Sequence, residues 1–101
     1  MVRLLVLYDT PPDPEAFDRH YREIHIPLAK KLQGLRRYTI SCNVTPIRGG
    51  KTYYLIAELD WDDMAALQQA FQSSEGRATA ADVPTFASHG VHSMIYEIEE
   101  A

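Results

Sequence analysis

Residues 17–38 read FDRHYREIHIPLAKKLQGLRRY. Advancing about 100° per residue puts Phe17, Tyr21, Ile24, His25, Leu28 and Leu32 in one broad stripe, the mark of an amphipathic helix. Asp18, Arg19, Arg22 and Glu23 fall opposite it, and His20 lands at the margin, looking outward. Tyr21 and His25 are neighbours on the inner side as an i, i+4 pair. Pro27 offers no N–H to the carbonyl of Glu23, and its ring crowds that turn. A proline in an exposed helix interior costs about 3 kcal/mol relative to alanine. The spacing therefore predicts a helix that kinks at Pro27 and opens space towards its packing partner at the level of His25. Polar groups facing a gap in an apolar layer are how a small-molecule pocket is made.

Working outward, Val2 to Tyr8 (VRLLVLY) is a strand apolar on both faces, which belongs where it is covered on both sides. Asp13 and Pro14 suit the N-cap and first position of the helix, which is predicted over Pro14 to Leu32 with Gly34 as its stop. Leu35 to Val44 alternates as a second strand. Pro46 and Arg48-Gly49-Gly50 make a turn, and Thr52 to Trp61 is a third strand. Asp62 or Asp63 caps a helix containing Met64, Leu67 and Phe71. A short helix or turn around Arg77 to Phe86, interrupted by Pro84, precedes a last strand from Val91 to Ile98. The order β-α-β-β-α-β predicts one α+β domain over residues 1–101. Its expected form is the ferredoxin-like split βαβ, a four-stranded antiparallel sheet with its helices on one face. One helical layer leaves the other face bare, and both parities of these strands carry large side chains. The bare face is thus expected to be apolar and covered by a second copy in a homodimer.

The composition is that of an ordinary globular chain, with 46% hydrophobic and 24% charged residues among 101. A formal net charge of −4 argues against a nucleic-acid backbone as partner. No apolar run approaches the ~20 residues of a membrane span, so no membrane partner is expected. The N-terminus turns acidic at once and shows no signal-peptide pattern. A lone cysteine, Cys42, excludes an internal disulfide, fits a reducing cytoplasm, and is expected to be buried and inert.

His25 is the expected general acid or base, because imidazole exchanges protons near neutrality. Tyr21, one turn earlier, would orient it or hydrogen-bond a substrate oxygen. The alternative for His25 is a core histidine satisfied by a backbone carbonyl. Leu28 shares the inward stripe. Tyr8, Tyr38 and Trp61 would shape a site for a small hydrophobic or aromatic ligand, with Tyr8 and Trp61 at strand ends where a rim would lie. His89, before Gly90, would reach the pocket mouth. Asp82 could serve as a pocket acid, but reads first as a cap or turn residue before Val83-Pro84. No metal site is expected: His89 and His92 are three apart on a strand, and His20 and His25 five apart on a helix. No cofactor is expected either, for want of a GxGxxG or flavin motif, and no GxSxG elbow marks a serine hydrolase.

The pattern Phe17-x-x-x-Tyr21-x-x-x-His25-x-Pro27-Leu28, then Gly34-Leu35-x-x-Tyr38, resembles the signature of the EthD family. Trp61 after an acidic strand end and Ser74-x-Gly76…Asp82-Val83-Pro84-x-Phe86 extend the resemblance to nearly the whole chain. It implies a dimeric α+β barrel serving catabolism or biosynthesis of small organic molecules, including alkyl-ether degradation beside a cytochrome P450 system. Barrel relatives include muconolactone methylisomerases, polyketide cyclases and cofactor-free monooxygenases. Two readings follow. One is an enzyme without a tightly bound cofactor that isomerises, cyclises or oxidises an aromatic, polyketide- or lactone-like compound. The other is a non-catalytic module that holds a small molecule for a partner oxidase.

Overall fold

The computed structural model describes residues 1–101. Strand β1 (Val2–Tyr8) leads to helix α1 (Pro14–His20), a π-helical turn (Tyr21–His25) and helix α2 (Ile26–Ala29). Strands β2 (Arg37–Ile40) and β3 (Leu55–Trp61) follow, then helices α3 (Met64–Gln72) and α4 (Ser74–Phe86), and strand β4 (Val91–Glu97). The strands form one antiparallel sheet in the order β2-β3-β1-β4. This is the ferredoxin-like α+β arrangement predicted by the order of elements.

The sheet register assigns every strand residue to a face. Val2, Val6 and Tyr8 of β1 pair with Trp61, Ala57 and Leu55 of β3, and all six are buried. They form the floor on which Phe17, Tyr21, Ala29, Leu32, Leu67 and Ala70 of the helical side pack. The opposite parity, Arg3, Leu5 and Leu7 beside Ile56, Glu58 and Asp60 and beside His92, Met94 and Tyr96, makes the open face. That face is less uniformly apolar than the alternation predicts. Arg3 donates two hydrogen bonds to Asp60, at 2.8 and 3.0 Å, and lies 3.3 Å from Glu58. The pairing is what allows the Asp60 carboxylate to be buried in mid-sheet.

Several boundaries differ from expectation for identifiable reasons. Of the two expected caps for α3 it is Asp63 that serves, accepting the Ala66 N–H at 2.8 Å, while Asp62 pairs with Arg36 at 2.7 Å. The short helix or turn expected around Arg77 to Phe86 is a 13-residue helix beginning at Ser74, with Pro84 accommodated inside its last turn. Ser73 starts it, accepting from the Gly76 N–H at 3.1 Å and donating to the Ala70 carbonyl at 2.6 Å. Only glycine fits at position 76, because a Cβ there would stand 2.1 Å from that same Ala70 carbonyl oxygen. The first helical stretch ends at Ala29 rather than Leu32, short of Gly34; β2 is shorter than predicted at both ends, and β3 begins at Leu55 rather than Thr52 but ends at Trp61 as expected. Positive φ at Asn43, Gly49 and Gly50 bends the connecting segment away from the sheet. Cys42 lies in this segment and is exposed rather than buried. No helix is long and apolar enough to cross a membrane.

Candidate functional site

The first helix is not simply kinked at Pro27. The Ile26 N–H bonds the Tyr21 carbonyl, five residues back, so Tyr21–His25 is a π-turn. Such single π-turns are recognised causes of local helix distortion and recur at functional sites. At about 100° per residue, Ala29 would lie about 120° around the helix from Phe17. The wider turn cancels much of that drift, so Phe17, Tyr21, His25 and Ala29, each four apart, are all buried on one line. Ile24 and Leu28, predicted on the stripe, are displaced from it: Ile24 is 46% exposed and Leu28 half-buried.

Under this line, between helices and sheet, is a cavity of about 300 Å³. Its walls include Tyr8, Tyr21, His25 and Tyr38, with Leu32, Leu59, Phe71 and Val83 supplying apolar surface. The exposed Ala80 and Pro84 of α4 and Ser93 of β4 lie at its rim. The Tyr21 and Tyr38 hydroxyls are 2.6 Å apart and hydrogen-bonded. Tyr8 packs edge-on against Tyr21, with ring centroids 5.6 Å apart. Burial raises the proton affinity of all three phenols, most strongly at Tyr21, where neighbouring Tyr38 and Tyr8 add to it. They are therefore neutral hydrogen-bond donors near pH 7.

His25 is 5% exposed and its Nδ1–H donates to Asp82 Oδ2 at 3.0 Å. A carboxylate only accepts, so the proton facing it is on Nδ1, leaving Nε2 as the basic nitrogen of this cavity-lining ring. Burial lowers the His25 pKa below the ordinary imidazole value and outweighs the opposing pull of Asp82. The ring is thus an oriented, neutral acceptor at neutral pH, and its partner is a side chain rather than a freed backbone carbonyl. Asp82 also accepts from His20 Nε2–H, at 2.9 and 3.0 Å, and from the Thr85 hydroxyl at 3.1 Å. Burial alone would raise the Asp82 pKa, but the hydrogen bonds from His20, His25 and Thr85 together bring it below the usual carboxylate value.

Two sequence expectations are corrected here. His20 is not simply turned to water but half-buried, converging with His25 on Asp82, because i→i+5 bonding brings residues five apart closer in direction. Asp82 is no mere turn residue but the carboxylate that joins α4 to the first helix. The sequence signal for it was present in Asp82-Val83-Pro84-x-Phe86, although nothing in periodicity pointed to its partners. Of the expected ligand-binding residues, Tyr8 and Tyr38 line the cavity, whereas Leu28, Trp61 and His89 do not. Trp61 is fully buried beneath Gly34, its indole N–H donating to the Gln33 carbonyl at 2.8 Å. His89 donates to the Asp9 carbonyl at 2.6 Å and lines a separate hollow with His20 and Phe86. Thr79, Val83 and Ser93 are cavity residues that the sequence reading did not single out. No group of three or more histidines, cysteines or carboxylates is arranged to hold a metal ion.

These shifts carry a stability signature. The His25 contribution is complete above the ordinary imidazole value of about 6.5 and is lost as the pH falls below it, because the unfolded chain binds the proton more readily. Asp82, with its lowered pKa, acts in the same sense at lower pH, from about 3.9 downwards. Thermal unfolding followed by circular dichroism should show Tm falling between pH 7 and 5, and less steeply in His25→Gln. An identical slope in both proteins would contradict the assignment of a buried, neutral His25.

Matches to known proteins cover the chain. The family model described as EthD domain matches residues 10–90. An uncharacterized 11.0 kDa protein from the thcB-thcC intergenic region of Rhodococcus erythropolis is 37% identical over 100 residues, 99% of this chain and 96% of that one. The crystal structure of an EthD family protein from Bacillus halodurans is 39% identical, with a TM-score of 0.90 over 98% of this chain and 99% of that one. SnoaB, a cofactor-independent oxygenase from Streptomyces nogalater, shares the fold at 14% identity, with a TM-score of 0.69 over 99% and 94% of the two chains.

Proposed function

This chain belongs to the EthD family, and from that premise we propose that it is a small-molecule enzyme that removes a proton from a planar carbon acid or phenol without a tightly bound cofactor. The observation that carries the reading is the neutral His25 ring, held by Asp82 on one side and lining a cavity of three protonated tyrosines. Nε2 of His25 takes the proton, and Asp82 stabilises the imidazolium that forms. The phenol hydroxyls of Tyr21 and Tyr8 donate to the oxyanion that develops on the substrate, as preorganised donors in a water-poor site. A cavity with neutral donors and one neutral base suits an uncharged aromatic, polyketide- or lactone-like compound. SnoaB, called a cofactor-independent oxygenase, supports such chemistry on this fold. The same cavity also suits a module that holds its ligand for a partner oxidase, and proton exchange separates the two readings. In deuterated water, with phenols, β-diketones and unsaturated lactones as probes, NMR should show the protein accelerating loss of an exchangeable carbon-bound proton. Probe binding without any acceleration would favour the holding module.

The open sheet face is proposed to pair with a second copy. Leu5, Leu7 and Ile56 are only half-buried there, and Met94 and Tyr96 are 46% and 40% exposed. A continuous apolar stripe of this kind is unusual on a monomer. The expected species in sizing experiments at micromolar concentration is a homodimer; a stable monomer would refute it.

A further inference from the structure

We propose that His20, outside the cavity, governs the protonation of His25 through the carboxylate they share, keeping the inner ring free as a base. For its role in turnover this rests on the reading of His25 as the base. The coupling itself is a property of the ligand-free protein.

The geometry is a bridge. His20 Nε2 stands 2.9 and 3.0 Å from the two Asp82 oxygens, and His25 Nδ1 stands 3.0 Å from Oδ2. One carboxylate carries one negative charge, so it compensates one imidazolium but not two. The two rings differ in what charging costs them. His25 is enclosed by Phe86 and Tyr21, with centroids at 4.9 and 5.3 Å, and the groups facing it across the cavity are the uncharged phenols of Tyr8, Tyr21 and Tyr38. The His20 side chain is 26% exposed, stacks on Phe86 at 5.0 Å, and lines a second hollow of about 290 Å³. That hollow also contains Asp13, Thr85 and His89. A charge on the outer ring keeps part of its hydration and has Asp82 beside it, whereas a charge on the inner ring is stripped of water. Once His20 is charged, its field opposes a second proton on His25. The pair then titrates as a coupled unit.

The arrangement makes His20 a positioning residue, touching no substrate yet setting the pH range over which His25 accepts a proton. Replacing His20 with glutamine keeps an N–H donor for Asp82 but removes the ionisable group. Asp82 is then left to His25 alone, so the inner ring should hold its proton to higher pH.

The test is an NMR titration of the imidazole carbon-bound protons in the full chain, with no ligand added. In His20→Gln the His25 midpoint should rise by about half a pH unit or more relative to the wild type. An unmoved or lowered midpoint overturns the proposal. Should the variant not fold, the wild type decides: the His25 signal must shift in two steps, the first tracking His20, and a single step independent of His20 overturns it. In the proton-exchange assay, His20→Gln should move the acid limb of the rate profile to higher pH by the same amount with its plateau retained. A lowered plateau with an unmoved limb would assign His20 a merely structural part and overturn the proposal. If the midpoint moves but no probe is exchanged by wild-type protein, the coupling stands and the base assignment of His25 falls.

Discussion

His25→Gln is expected to lower proton exchange on a bound carbon acid by about 10²–10⁴-fold while changing ligand affinity little, the usual range for loss of a positioned general base. Glutamine approximates the length of histidine and keeps an amide N–H for Asp82, so the cavity wall and the α4 contact are retained. What it lacks is a nitrogen lone pair of imidazole basicity. The separation of rate from affinity is the informative part. A cavity built only to hold a ligand would show equal turnover, or none, in both proteins. A large loss of affinity with an unchanged maximal rate would place His25 in binding rather than in proton transfer. Tyr21→Phe belongs to the same experiment, because it removes one donor to the developing oxyanion and breaks the 2.6 Å bond to Tyr38. Its effect should be smaller, since Tyr8 and Tyr38 still line the cavity with hydroxyls.

The largest effect on stability is expected at Trp61. This residue is fully buried, packs edge-on against Phe71 with centroids 5.6 Å apart, and donates its indole N–H to the Gln33 carbonyl. Trp61→Ala removes the largest side chain of the core and leaves a void beneath the turn at Gly34. Such truncations cost about 3–5 kcal/mol. In a domain of this size that corresponds to a Tm lowered by roughly 15 °C or more. Chemical denaturation should report the loss as a shifted midpoint with an unchanged slope. A loss below about 1 kcal/mol would mean that the site tolerates collapse and that Trp61 is not the anchor of this end of the sheet. Trp61→Phe should recover most of the packing but not the hydrogen bond.

The two outcomes separate the roles that the sequence had placed together. Trp61 and His25 both appeared as members of a site, yet one anchors the end of β3 and the other lines the cavity. Their difference lies in the sheet register, which turns Trp61 under the Gly34 turn, and in the π-turn, which keeps His25 on the line of residues facing the cavity. Neither is readable from residue type.

What the sequence determined by itself was the architecture and the inward face of its first helix, which lines the cavity. Alternating strands, an N-cap at Asp13 and the order of elements are local signals, and local signals dictate element type and hence topology. Tyr21 and His25 were legible as inward residues because four-residue spacing keeps them together in either an α- or a π-turn. The tertiary structure decided everything that depends on residues distant in the chain. Asp82 lies 62 and 57 positions from its two histidines, and periodicity carries no information across such separations. The pairing of His20 with Asp82 was missed because a uniform 3.6-residue period cannot anticipate one wider turn. That turn forms where Pro27 withholds an N–H and the packed layer beneath rewards a straight line of Phe17, Tyr21, His25 and Ala29.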